Sequence, residues 1–115
     1  MCQEPPQVGF AVLYLWRVAG GQEPGFRDAW KRLTRAIAAE RGGLGSRLHQ
    51  LRNGWFAAYA QWPSRELWAR SQGLPPPASG AEAAAAMGKA IVERAEPMEL
   101  DVLDDLLGDQ VWSQG

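Results

Sequence analysis

Cysteine and histidine are nearly absent from this chain of 115 residues, which contains one of each. Because Cys2 is the single cysteine, an internal disulfide and a metal site built from clustered cysteines are excluded. The acidic residues near the carboxyl end have no histidine partners and lack the ordered spacing of a calcium loop, so they indicate a solvated strand edge. We expect no metal site.

Long hydrophobic runs are also missing. The longest, Phe10–Trp16, has the length of a strand and falls short of the roughly 18 residues that span a bilayer. Residues 1–9 contain no hydrophobic signal core. These observations predict a cytoplasmic protein with no membrane partner.

Neither sign of charge predominates, since 12 basic residues nearly balance 13 acidic ones and the net charge is −1. Without clustered lysine and arginine against phosphates, we expect no nucleic-acid partner. A composition of 46% hydrophobic and 22% charged residues is typical of a soluble globular protein. The length predicts a single domain over 1–115, with loose termini at 1–8 and 108–115.

Hydrophobic periodicity predicts a series of strands and helices. Phe10–Val18 is rich in β-branched and aromatic residues and predicts a strand, whereas Pro24–Arg41 carries an apolar stripe with helical spacing. The later elements are predicted as strands 44–51 and 55–62, a short helix 65–71 capped by Ser64, a proline-rich loop 74–80, an alanine-rich helix 81–95 and a strand 98–103. This order is typical of the α+β, ferredoxin-like split βαβ fold, in which helices cover one face of a four-stranded antiparallel sheet.

The dipeptide Asn53-Gly54 is the strongest short signal for a two-residue type I′ turn between two of these strands. Such a turn predicts these opposed pairs: His49 with Ala58, Arg47 with Ala60, and Gly45 with Trp62. Because side chains alternate along a strand, His49, Arg47 and Trp62 would then share one face. Small residues opposite larger ones leave space, so this face is the predicted wall of a pocket.

An apolar surface remains on the side of the sheet that the helices leave open. The first strand and the hairpin are predicted to carry these side chains on that face: Leu13, Leu15, Leu48, Ala57 and Tyr59. A bare apolar face of roughly several hundred Å² is unusual on a monomer. Face-to-face association of two sheets would cover it, so the sequence predicts a homodimer with a barrel-like core.

Several segments together resemble the antibiotic biosynthesis monooxygenase family: Phe10–Val18, Phe26–Trp30, Gly45–His49 and Ala60–Trp68. The resemblance runs over about residues 8–72 and more loosely to the last strand. It implies a dimeric α+β barrel. Members include oxygenases that oxidise activated phenolic or anthrone-type polyketides without a metal or flavin. Others degrade haem, and many have no known reaction.

The resemblance also implies where a ligand would bind. The family's pocket lies between the sheet and the helices, and a tryptophan at the end of the third strand often lines it, a position that Trp62 matches. Haem-degrading members use a histidine after the third strand and an asparagine in the first strand. Here no histidine follows His49, and the only asparagine is Asn53 in the turn. We therefore expect neither haem nor another cofactor.

His49, Arg47 and Trp62 form the candidate site of this interpretation. His49 would be the general base and Arg47 the cation that stabilises a developing oxyanion. Trp62 would stack on a flat aromatic substrate. The other candidate substrate-binding residues are Ala58, Ala60, Trp16 and Tyr14. The alternatives are a histidine satisfied by a neighbour, an arginine paired with a helix carboxylate, and a tryptophan that only packs in the core.

Two functions from different classes remain open. The first is a cofactor-independent monooxygenase acting on a small aromatic or polyketide-type substrate. The second is a non-catalytic dimeric domain of the same fold that binds a ligand or has a structural role. The two differ at the pocket, because the enzyme requires Arg47 and His49 to point into an enclosed cavity.

Overall fold

The central strand of the sheet is β1 (Phe10–Val18), in a computed structural model that describes residues 7–107. β1 pairs antiparallel with β3 (Trp55–Trp62) along most of its length, with Phe10 opposite Trp62. Aromatic, β-branched and small apolar residues fill both strands, as the pleated interior of a sheet favours. Both strands keep their predicted bounds. Cys2 and most of the predicted loose termini, 1–6 and 108–115, lie outside the described residues.

The other edge of β1 is shared by two short strands. β4 (Ile91–Arg94) pairs with the carboxyl-terminal part of β1, and β5 (Met98–Asp101) pairs with the amino-terminal part. Pro97, which precedes β5, has no N–H to donate to a sheet ladder. With β2 (Ser46–Gln50) beside β3, four strands lie in the order β2–β3–β1–β4. The fifth strand, β5, pairs with β1 on the same side as β4. The predicted antiparallel ferredoxin-like sheet is confirmed, with its fourth position divided between two strands.

The helix α3 (Ala81–Ala90) is shorter than the predicted helix 81–95. Ile91 already has an extended backbone, with φ −83° and ψ 124°, and it opposes Val18 on β1. Alanine favours helix locally, but the β-branched residues Ile91 and Val92 suit the sheet edge. The prediction of helix after Ala90 was wrong because pairing with a distant strand overrides local propensity.

The helices lie on one face of the sheet. α1 (Glu23–Arg41) and α3 pack over its centre, and α2 (Arg65–Gln72) packs beside the end of β3. Ser64 caps α2 as predicted, because its hydroxyl oxygen accepts a hydrogen bond from the Leu67 backbone N at 3.2 Å. The largest fully buried side chains between the layers are Phe10, Phe26 and Val12. No helix within residues 7–107 has the length and apolarity that a bilayer span requires.

The turn of the hairpin has the predicted backbone conformation but not the predicted register. Asn53 and Gly54 both have positive φ, 60° and 79°, as a type I′ turn requires. The backbone N of Trp55 donates to Arg52 O at 3.3 Å, but Trp55 O accepts from the N of Leu51 at 2.8 Å. Two residues, Leu51 and Arg52, therefore oppose the single residue Trp55. This β-bulge shifts the rest of the hairpin by one residue.

The shifted register changes which side chains share a face. His49 opposes Ala57 and Arg47 opposes Tyr59, so both point away from the helices, whereas Trp62 points towards them. The prediction that His49 and Arg47 share a face with Trp62 was wrong. Leu48 was also assigned to the wrong face, because it opposes Ala58 and packs against the helix-side core.

The face without helices is apolar along its central strands. Leu13 and Leu15 of β1 alternate with the helix-facing residues, and their β3 partners are Tyr59 and Ala57. Towards the edge, β5 adds Met98 and Leu100, which are 46% and 36% exposed. The predicted apolar face is thus present, with these two side chains in place of Leu48.

Candidate functional site

A cleft of about 410 Å³ lies between the helix-facing side of the sheet and the layer formed by α1, α3 and the loop before α3. This volume is within the range of small-molecule sites in proteins, about 300–1,000 Å³. Phe26 does not fill the space, because it packs on Phe56 with ring centroids 5.3 Å apart. The predicted position of the pocket therefore corresponds to a real space.

The floor of the cleft is formed by small residues of β3. Ala58 and Ala60 are on the helix-facing side of the strand, where Tyr14 opposes Ala58 on one side and Ser46 opposes Ala60 on the other. A methyl side chain leaves a gap between the larger neighbours on the flanking strands. The residues predicted to bind substrate all line the cleft: Tyr14, Trp16, Ala58, Ala60 and Trp62.

The opposite wall comes from the helices and the proline-rich loop. The apolar stripe of α1 contributes Trp30, Leu33 and Ile37, and α3 contributes Met87. The loop 74–77 closes one side. Trp30 is half-buried, and it both packs against the core and lines the cleft. Together these residues give the cleft a mainly apolar and aromatic surface.

The proline-rich loop is fixed by the carboxyl-terminal end of α1. Glu40 accepts hydrogen bonds from the backbone N of Ala78 and of Ser79, each at 3.0 Å, and from the Ser79 hydroxyl. The adjacent Arg41 donates to Pro75 O at 2.7 Å. The hydrogen bonds from Ser79, led by its hydroxyl, hold the pKa of the Glu40 carboxyl below its ordinary value of 4.5. Two consecutive charged residues thus hold the loop that closes the cleft.

The hydroxyl group of Tyr14, in the cleft, has a hydrogen-bond partner in the protein. Trp68 Nε1 donates a hydrogen bond to Tyr14 Oη at 2.9 Å. The phenol ring stacks on Trp16, with centroids 5.4 Å apart and planes 8° apart, and Trp68 packs on Phe10 at 5.5 Å. Burial raises the pKa of the Tyr14 phenol above 10.0, and the hydrogen bond from Trp68 opposes this rise. The phenol therefore stays protonated at neutral pH.

Other polar groups line the cleft as well. The hydroxyl oxygen of Ser46 is buried and has no hydrogen-bond partner within the described part of the chain. Arg41 and Arg94 supply positive charge, from the end of α1 and from β4. Of the lining residues between 7 and 107, none is histidine, aspartate or glutamate. The cleft therefore offers hydroxyls and cations but no side chain that ordinarily titrates near neutrality.

No family model matches the sequence, and no curated protein matches it significantly. Solved structures do match. A protein from Caulobacter crescentus CB15, provisionally named an antibiotic biosynthesis monooxygenase, is 19% identical, with 86% of this chain and 93% of that chain covered and a TM-score of 0.68. SnoaB, a cofactor-independent oxygenase from Streptomyces nogalater, is 15% identical, with coverages of 89% and 100% and a TM-score of 0.68. The chain has the fold of the antibiotic biosynthesis monooxygenases. The resemblance predicted this fold.

Arg47 and His49 lie outside the cleft of this monooxygenase-type fold. Both are exposed on the opposite face of the sheet, where they line a separate depression with Leu13 and Tyr59. His49 Nδ1 is 3.3 Å from Ala57 O, within hydrogen-bond distance when Nδ1 carries the proton. The sheet itself separates these side chains from the cleft. Neither His49 nor Arg47 is therefore positioned beside Trp62, as their predicted roles of base and cation required.

Trp68 is the residue of the site that the sequence did not reveal. Its helix was predicted correctly, but no role was assigned to it. A signal was available, because Trp68 is the large aromatic residue of a short helix whose other positions are mainly polar, and it is 9% exposed. Its partner Tyr14 lies 54 positions away in the chain. Such a contact follows from the packing of α2 on β1 and not from a local pattern.

Proposed function

We propose that the chain is a cofactor-independent oxygenase that binds a small, flat aromatic or polyketide-type substrate in the cleft between sheet and helices. The observation that carries the proposal is the cleft itself, a space of about 410 Å³ with an alanine floor and tryptophan walls. It occurs in a fold shared with SnoaB, a cofactor-independent oxygenase. In this proposal Trp16, Trp62 and Trp30 contact the faces and edges of the bound ring.

The chemistry makes few demands on the protein. An electron-rich phenolate or enolate can pass an electron to oxygen, so the protein must exclude water and favour the anion. When an anthrone-type CH₂ becomes C=O, one atom of O₂ enters the product and the other leaves as water. The electrons come from the substrate, and no external reductant is needed. Arg41 and Arg94 would favour the anionic substrate through their charge.

The open face of the sheet supports a second part of the proposal, a homodimer. Leu13, Leu15 and Tyr59 form an apolar band on this face, and Met98 continues it towards the edge. A second copy of the chain has the same band, and two such faces can pack together around a two-fold axis. In this arrangement Arg47 and His49 would lie near the partner and not near the substrate.

A non-catalytic ligand-binding domain is the second candidate function. It is favoured by the position of Arg47 and His49, which point away from the cleft. It is also favoured by the set of described residues that line the cleft, since it contains no histidine and no carboxylate. A domain of this kind would bind the same flat aromatic molecules without turnover.

Oxygen consumption distinguishes the two functions. We expect the protein to accelerate O₂ uptake and quinone formation from anthrone at least tenfold over the same solution with heat-denatured protein. Binding of anthrone, detected by quenching of tryptophan fluorescence, is expected in the same samples. Binding without accelerated O₂ uptake would assign the chain to the non-catalytic function. Absence of binding would reject both candidates.

A further inference from the structure

We propose that the Tyr14 hydroxyl donates the hydrogen bond that holds the ionised oxygen of a phenol or enol in the cleft, and that Trp68 orients this hydroxyl. The inference rests on the proposed function and deepens it, because it assigns the substrate oxygen to one atom, Tyr14 Oη. Tyr14 would contact the substrate directly, whereas Trp68 is a positioning residue.

The hydrogen bond between Trp68 and Tyr14 leaves the hydrogen of the phenol free to point elsewhere. An indole N–H can only donate, so Tyr14 Oη accepts in the 2.9 Å contact. The hydrogen of the phenol must then point elsewhere. Within residues 7–107 the structure shows no protein acceptor for that hydrogen. Tyr14 is half-buried and lines the cleft, so an oxygen of a ligand bound there can accept this hydrogen.

Tyr14 also lies beside the floor of the cleft. Tyr14 directly opposes Ala58, and the Cβ atoms of opposed residues lie about 4.5–5.5 Å apart. A ring bound over Ala58 would therefore contact the Tyr14 side chain, which lines the same cleft. The Tyr14 ring has little freedom, because Trp16 stacks on it and Trp68 holds its hydroxyl. A donor that is fixed before the substrate arrives needs no reorganisation to stabilise an anion.

The charges around the cleft agree with this role. Arg41 of α1 and Arg94 of β4 line the same space and would favour an anion whether or not Tyr14 donates. The described lining residues include no carboxylate that would repel it. Removal of the Tyr14 hydroxyl should therefore weaken anion binding without abolishing it. A hydrogen bond to a charged group typically strengthens binding by roughly ten- to hundredfold, so a loss of this size is expected.

The test compares two probes of similar shape, 4-nitro-1-naphthol and 1-nitronaphthalene, at mildly alkaline pH. The first ionises and its anion absorbs visible light, whereas the second has no hydroxyl. In Tyr14→Phe we expect the affinity for nitronaphtholate to fall at least tenfold and the affinity for 1-nitronaphthalene to change less than about twofold. The apparent pKa of the bound nitronaphthol should rise by about one unit relative to wild type.

Trp68→Phe provides a second variant that keeps an aromatic ring against Phe10 but lacks the N–H donor. We expect a smaller loss of nitronaphtholate affinity, about threefold to tenfold, and a shift of the bound probe's pKa in the same direction. A purely structural role for Trp68 would weaken both probes equally and leave that pKa unchanged.

The outcomes separate this inference from the proposed function. If each probe binds Tyr14→Phe with the same affinity as it binds wild type, Tyr14 is not the donor and the cleft remains a binding site. If neither probe binds wild type, the proposed function and the inference both fail. If Tyr14→Phe does not fold, the probe's pKa in Trp68→Phe decides, and an unchanged value overturns the inference.

Discussion

Glu40 Oε2 lies 3.0 Å from the backbone N of Ser79, and this contact joins the end of α1 to the loop that closes the cleft. The same carboxylate accepts from Ala78 and from the Ser79 hydroxyl. These hydrogen bonds satisfy backbone donors at the start of the turn 78–80 that leads into α3. The wall of the cleft thus depends on a carboxylate that does not itself line it.

Replacement of Glu40 by glutamine should lower the stability of the protein in a pH-dependent way. The folded state lowers the pKa of Glu40 below 4.5, so the contribution of its charge is fully present above about pH 4.5. It is lost as the pH falls through the lower pKa of the folded state. Urea denaturation should therefore show a difference between wild type and Glu40→Gln at neutral pH that shrinks below pH 4.5. Glu82→Gln, at an exposed position of α3, is the control and should show a smaller difference.

Gly80→Ala should destabilise the contact between the turn 78–80 and α1. A Cβ at this position would lie 2.8 Å from the Cβ of Ala36 and 3.0 Å from Leu33 Cδ1. Because the helix backbone holds Ala36 in place, we expect a loss of about 1–3 kcal/mol in the free energy of unfolding. Gly20→Ala is the matched control, since a Cβ there meets nothing within 4 Å. Equal stability of the two variants in urea denaturation would contradict the close approach.

Ala60→Leu should fill the floor of the cleft and block ligand binding. The cleft has space for the added side chain, so we expect a change of less than about 1.5 kcal/mol in stability but at least a tenfold loss of affinity for 1-nitronaphthalene. Ala39→Leu, on the exposed side of α1, is the same substitution away from the cleft. Fluorescence titration of both variants checks the prediction. Undiminished binding by Ala60→Leu would place the ligand elsewhere.

His49→Ala should leave turnover of anthrone within about twofold of wild type. The imidazole lies on the face of the sheet opposite to the cleft, with its Nδ1 3.3 Å from Ala57 O. Removal of a general base would instead lower turnover by about 10²–10⁴. O₂ uptake at equal protomer concentrations measures the difference. A loss of that size would mean that the hairpin register in solution places His49 at the substrate.

Leu15→Lys should dissociate the proposed homodimer. Leu15 lies in the apolar band on the face without helices, opposite Ala57. Burial of an unpaired ammonium group between two sheets costs several kcal/mol, so we expect the dissociation constant to rise by about 100-fold or more. Sedimentation equilibrium at micromolar concentration should show a dimer for wild type and for Ala39→Lys, and a monomer for Leu15→Lys. A monomeric wild type would remove the homodimer from the proposal.

Much of the fold could be predicted from local patterns. The bounds of β1 and β3, the Ser64 cap and the left-handed backbone at Asn53 and Gly54 all follow from residues that are near each other in sequence. The position of the cleft followed from the family resemblance. Strand alternation then placed Ala58, Ala60 and Trp62 together, because residues two apart on one strand share a face whatever their partner strand does.

The register across the hairpin could not be predicted in the same way. One extra residue at Leu51 and Arg52 leaves the Asn53-Gly54 turn intact and still moves His49 to the other face of the sheet. Leu48 gains burial in the helix-side core in this register, and Arg47 and His49 gain exposure. The gain in burial depends on which helix side chains are nearby, and a turn motif contains no such information.

The sequence by itself determined the order of the elements except β4, the ferredoxin-like class and the small residues under the cleft, because these depend on propensities and periods within single segments. Tertiary structure decided the end of α3 at Ala90, the Trp68–Tyr14 hydrogen bond and the side of the sheet on which His49 lies. Each of these depends on a contact with a residue brought close only by folding, whose free energy exceeds a local preference of about 1 kcal/mol or less.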